Sequence, residues 1–171
     1  MADQTTAFFQ TLSVKMLGGR CLPNFLNLIG PTLHVANPRH ALWSARKEKK
    51  QEDEAKAVIV GTGGFIELNL KLVEKTETTD WKHEVTTTIT PWSQFVGLTD
   101  TCLREPTYPN DTHGECRRST AELKYASGET VPILPGEGWR FGCVERTNDS
   151  VESHEDTGRF IVSVLQELSK R

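Results

Sequence analysis

The chain lacks the short motifs that mark an enzyme class. Its four cysteines, Cys21, Cys102, Cys116 and Cys143, form no CxxC pair. No GxSxG occurs, and no Ser-His-Asp set stands out. The "GTGG" at 61–64 lacks the Gly-Lys-Ser/Thr ending of a phosphate loop. It also precedes a strand pattern where such a loop must lead into a helix, so it reads as a turn. No apolar run is long enough to span a bilayer, because Gln10, Lys15 and Arg20 interrupt the N-terminal ones. The same interruptions argue against a secretory leader. The chain therefore reads as cytosolic, with a mature secreted form as the alternative. Charge of one sign is also missing. Twenty Lys and Arg against 23 Asp and Glu leave a formal net charge of −3. That argues against a general nucleic-acid binder, which needs a basic surface to displace counterions, and leaves room only for a local basic patch.

What remains is an ordinary globular composition, 171 residues that are 36% apolar and 25% charged. This is enough for one domain, 1–171, with a core that needs neither disulfide nor metal. Cys102 and Cys116 flank the loop-like "LREPTYPNDTHGE" and could close it in an oxidising compartment; four free thiols are the ordinary alternative. Two Asn-x-Ser/Thr sequons, at Asn110 and Asn148, are near chance in a chain this rich in Ser and Thr.

Periodicity assigns the elements. "TTAFFQTLSVKMLGG" predicts a helix capped by Thr5 or Thr6, with Phe9, Leu12 and Met16 on one face and Phe8 beside them, ended by Gly18 and Gly19. "LPNFLNLIGP" predicts a short second helix with Pro23 in its first turn, and "TLHVANP" a short strand. "RHALWSARKEKKQEDEAK" predicts a third helix, because Lys49 with Asp53 and Lys50 with Glu54 are four apart. "GGFIELNLKLVEK" is the clearest strand, with Ile66, Leu68, Leu70 and Leu72 facing one way and Glu67, Asn69 and Lys71 the other. It should pair antiparallel with "TDWKHEVTTTITPW". "SQFVGLTDTCL" fits a short helix or an irregular crossover. Leu123 and Tyr125, then Val131 and Ile133, flank an "ASGE" hairpin turn. "GWRFGCVER" is a strand with Trp139, Phe141 and Cys143 on one side. "SHEDTGRFIVSVLQELSKR" is a closing helix with Ile161, Val164, Leu165 and Leu168 as its apolar stripe and Lys170 and Arg171 at its C-terminal end. Helices first and strands after them predict an α+β fold: N-terminal helices packed on a curved, mainly antiparallel sheet, with a C-terminal helix.

The opening pieces "AFFQTLSVKMLGGR", "LPNFLNLIGP" and "TLHVANP", followed by antiparallel strands, resemble the layout of the SnoaL-like polyketide cyclases, scytalone dehydratase and ketosteroid isomerase. The likeness is of layout over most of the chain, and "ARKEKKQEDEAK" and "CLREPTYPNDTHGEC" have no place in it. It implies a cone-shaped α+β fold with a mostly apolar pocket in its mouth. Members of that group do acid–base chemistry there without a cofactor, and others only bind ligands or partners. "GETVPILPGEGW" followed by "ERTN" resembles the later half of a cupin metal motif, but Trp139 and Arg140 stand where a histidine ligand belongs. The earlier paired histidines are absent too, so no metal is expected.

Candidate chemistry rests on few residues. Of the five histidines, His40, His113 and His154 lie in polar or loop-like settings and read as solvent-facing, and His34 alternates away from Leu33 and Val35. His83 differs, sharing strand parity with Trp81, Val85 and Ile89. A buried imidazole needs hydrogen-bond partners, and burial or a nearby carboxylate tunes it near neutral pH. Its ordinary alternative is a bonded core-edge residue, or an exposed one if the register slips. Tyr125 and Glu145 also fall on apolar parity and could polarise a substrate or exchange a proton; a plain core tyrosine and an exposed strand end are the alternatives. Trp81, Trp139 and Phe141 could wall a pocket or simply fill the core. The sequence therefore points to a cofactor-free isomerase, cyclase or dehydratase acting on a small hydrophobic molecule, with His83, Tyr125 and Glu145 as its acid–base groups, homodimeric or monomeric. The competing reading is a non-catalytic, even viral structural, protein that contacts partners through a sheet face or the 102–116 loop.

Overall fold

A computed structural model describes residues 2–16, 37–48, 51–75, 81–105, 115–133, 139–143 and 154–170. Its elements are α1 (Ala2–Met16), β1 (Pro38–Glu48), β2 (Gln51–Gly61), β3 (Gly64–Lys75), β4 (Trp81–Pro91), a 3-10 turn (Trp92–Gln94), β5 (Phe95–Glu105), β6 (Glu115–Tyr125), β7 (Thr130–Pro132), β8 (Trp139–Cys143) and α2 (His154–Leu168). The strands form two antiparallel sheets, one ordered β4-β3-β2-β1-β8 and one ordered β5-β6-β7. With the two helices this is an α+β architecture. The expected second helix (22–31), most of the "TLHVANP" strand, His34, His113 and Glu145 lie outside the described residues.

The strict alternation of "FIELNLKLVEK" produces β3, and it pairs with β4 as expected: Ile66 stands opposite Ile89, Leu70 opposite Val85 and Leu72 opposite His83. The "GTGG" is the β2–β3 hairpin turn. The "ASGE" turn joins β6 to β7, with Leu123 opposite Val131 and Gly128 at a positive φ of 92°, where a side chain would be strained.

Four expectations need correction. The third helix is instead the β1–β2 hairpin. Its charge pattern satisfies both geometries, because Arg46 stands opposite Glu54 and Lys47 opposite Glu52 across the strands. The alternating "EAKA" and the β-branched "VIV" after it then decide for a strand. His40, expected in solvent at a helix start, is half-buried on β1 opposite Val60. In "SQFVGLTDTCL" only Ser93 and Gln94 are helical, as the end of the 3-10 turn, and the rest is strand β5, which pairs with β6. Thr5 and Thr6 lie inside α1, which begins at Ala2, rather than capping it.

Cys102 stands opposite Arg118 and Cys116 opposite Arg104, two register positions apart. A diagonal step of that kind separates Cα atoms by about 7–8 Å, beyond the usual disulfide span.

The core has two layers because the five-stranded sheet is apolar on both faces. On one face Phe9 and Leu12 of α1 pack against Ala41, Ala55, Ala57, Ile59, Ile66, Leu68 and Leu70. On the other, Leu42, Val60 and Phe65 meet Phe95, Ala121, Leu123 and Val131 of the second sheet and Phe160, Ile161 and Val164 of α2. The buried stripe of α2 is rotated from the expected one: Phe160 takes part, while Leu165 is 47% exposed. Glu167 is buried beneath α2's last turn. It accepts a bond from Lys170 Nζ at 2.6 Å and faces Arg39 Nη1 at 3.5 Å, which ties the helix to the start of β1. At the junction of the sheets, buried Trp92 donates Nε1–H to the Gly61 carbonyl at 2.8 Å. Phe65, Trp92 and Phe95 pack edge-on or tilted with centroids 5.9–6.1 Å apart, and Tyr125 stacks on Phe95 at 4.8 Å.

Candidate functional site

The second sheet and α2 cover the α2-side face of the five-stranded sheet around Leu42, Val60 and Phe65. Along the same strands, on the same face, the side chains become polar. Val58 stands opposite Glu67, and Glu67 opposite Thr88. Asn69 stands opposite Lys56 on one side and Thr86 on the other. Val58 packs against the covered core and carries its apolar wall up to Glu67. Thr86, Thr88 and Lys56 are exposed, and Glu67 and Asn69 are half-buried. The result is a polar ledge against an apolar wall.

Electrostatics single out Glu67 on this ledge. Burial pushes its carboxyl above the usual 4.5, and the Lys56 ammonium, one diagonal step away, draws it partly back. Desolvation disfavours the charged form and a neighbouring cation favours it, so the two causes act in opposite senses. A carboxyl that burial makes harder to ionise, beside an apolar wall, is suited to exchanging a proton with a bound molecule. Among the described residues no group of three His, Cys, Asp or Glu side chains could hold a metal ion. Among them, too, no helix is long and apolar enough to cross a membrane.

Of the expected site residues, the five that are described fall in three places away from this ledge. His83 and Trp81 lie on β4, at positions in phase with Val85 and Ile89, whose side chains meet the α1-side core. Trp139 and Phe141 lie on β8, opposite Arg46 and Ser44, in phase with Leu42 on the α2-side face. Among the described strands β4 and β8 are the outer two of this sheet, four inter-strand steps apart or about 19 Å along it. The two sets of positions therefore lie on opposite outer strands, in phase with opposite faces. Tyr125 belongs to the second sheet, half-buried opposite Phe95, as part of the aromatic junction.

Glu67 was legible only indirectly. Strict alternation put it on the polar face of β3, away from Ile66 and Leu68. The missed signal is in β2, where "AVIV" is apolar at every position and both faces of its neighbours must therefore be at least partly covered. No family model, no curated protein and no solved structure matches the chain.

Proposed function

We propose that the chain binds a small, largely apolar molecule on the α2-side face of its main sheet and exchanges a proton with it through Glu67. That makes it a cofactor-independent isomerase, cyclase or dehydratase of the cone-like kind its layout resembles, with the sheet curving around the ligand. Glu67 takes the acid–base role first given to His83. The observation carrying this reading is a half-buried carboxyl, raised by desolvation, at the border of an apolar wall and an open polar ledge. Val58 would contact the apolar part of the ligand, while Asn69 and Thr88 would orient its polar group.

Tryptophan fluorescence during titration with a panel of small phenols and aromatic ketones tests it, since Trp92 packs in the same core cluster as Val58. Saturable quenching is expected, with an affinity that depends on pH in the wild type and loses that dependence in Glu67→Gln. If no compound gives a saturable change, or if the pH dependence survives the substitution, the reading fails. The non-catalytic alternative is favoured by a different feature, the outer edge of β4.

A further inference from the structure

Sheet edges are normally protected, because unpaired backbone groups recruit other strands. Three of the four edges among the described residues carry such protection. β7 and β8 are short, three and five residues. β5 has eleven residues, but its register with β6 breaks at Phe95/Gly97 and again at Thr101/Cys102, and it carries Asp100. β4 is different. From His83 to Pro91 it runs in unbroken register with β3, and the irregularity at Leu72/Glu74 lies beyond that stretch. Between His83 and Thr90 its only charged residue is Glu84, and Lys82 and Pro91 stand at its ends.

The strand is also complementary to itself. Paired antiparallel about Thr87, it sets Val85 opposite Ile89 of a second copy and Ile89 opposite the second Val85. Thr86 then meets Thr88, Glu84 meets Thr90, and Thr87 meets its own equivalent. No like charges are opposed, and Pro91 falls at the end of the ladder where its missing N–H costs little. Val85 and Ile89 are half-buried at the margin of the α1-side core, so the pairing would complete their cover with β-branched partners. A strand of another sequence could use the same edge, but a second copy always brings this register-matched pattern with it.

We propose that two copies of this chain pair through β4, antiparallel about Thr87, and join their five-stranded sheets into one continuous sheet around a two-fold axis. Light scattering behind size exclusion at micromolar concentration tests this. The expected mass is twice the 19.2 kDa of one chain. Thr87→Lys sets two ammonium groups face to face at the axis and should give a monomer with an unchanged circular dichroism spectrum. Thr99→Lys, on the exposed β5 edge, should stay dimeric. A monomeric wild type, or a dimer that persists in folded Thr87→Lys, overturns the proposal. If Thr87→Lys does not fold, Thr87→Cys decides. Oxidation should cross-link it across the axis, whereas Thr99→Cys should remain uncross-linked. Failure of Thr87→Cys to cross-link also overturns the proposal.

Discussion

Glu67 shows how one residue's surroundings become a measurable pH dependence. Its folded carboxyl is raised above 4.5 chiefly by burial, so the fold tolerates the protonated form better than the charged one. A raised folded value means that the favourable contribution is complete below pH 4.5 and is lost as pH rises through the folded value. Glu67→Gln removes that loss. Urea midpoints of wild type and Glu67→Gln should therefore nearly coincide below pH 4.5 and separate at neutral pH, with the variant the more stable. A variant equally displaced at every pH would mean that its effect is packing and not ionisation. Lys56 acts in the opposite sense, so Lys56→Met should widen the separation. This residue was hidden in the sequence because alternation assigns faces but not what covers them. The same limit applies to Leu165 and Phe160: both are apolar and near the stripe of α2, and only the position of the second sheet decides which one is buried.

At the scale of elements, strands with one clean period were legible and the charged stretch was not. From Ile66 to Leu72 β3 alternates apolar and polar residues, so its antiparallel hairpin with β4 follows from the pattern, although the register shift at Leu72/Glu74 does not. The 39–56 region carries opposite charges that suit a helix four residues apart and a hairpin across its strands equally well. Periodicity cannot separate them; pairing with β3 and β8 can, and that information is non-local. The tight approach of β3 to β4 also has a local requirement. A Cβ added at Gly64 would lie 2.5 Å from the Thr90 carbonyl oxygen and 3.3 Å from Pro91 Cα, both backbone atoms in a paired strand. Neither neighbour can swing aside as a side chain would. Gly64→Ala should therefore cost about 1–3 kcal/mol, the usual range for overpacking. Gly97 meets nothing within 4 Å. Gly97→Ala should stay within about 1 kcal/mol of wild type, since it mainly restricts the unfolded chain. Equal urea midpoints for the two variants would show that the β3–β4 approach is looser than described.

At the scale of the molecule, the five-stranded sheet is the shared wall of two cores. α1 closes one side, and α2 with the second sheet closes the other. The strands between them, β2 and β3, contribute to both: Ala57 and Ile59 to one face and Val60 to the other, Ile66 and Leu68 to one and Phe65 to the other. Neither layer can lose its packing without exposing the strands that support its neighbour. The two cores should therefore unfold together. Leu12→Ala empties a fully buried position on the α1 side, and Phe95→Ala empties one on the α2 side. Substitutions of these kinds cost about 2–5 kcal/mol. Each should lower a single transition, with tryptophan fluorescence and far-ultraviolet circular dichroism giving the same midpoint. With Trp43, Trp81 and Trp139 replaced by Phe in every background, Trp92 at the sheet junction follows the α2-side core alone, whereas circular dichroism follows all the strands and both helices. If Leu12→Ala shifted the dichroism midpoint while leaving fluorescence in place, the α1 side would be an independent layer and the shared-wall argument would fail. Coincident shifts in both variants would tie residues as far apart in sequence as Leu12 and Val164 to one cooperative unit.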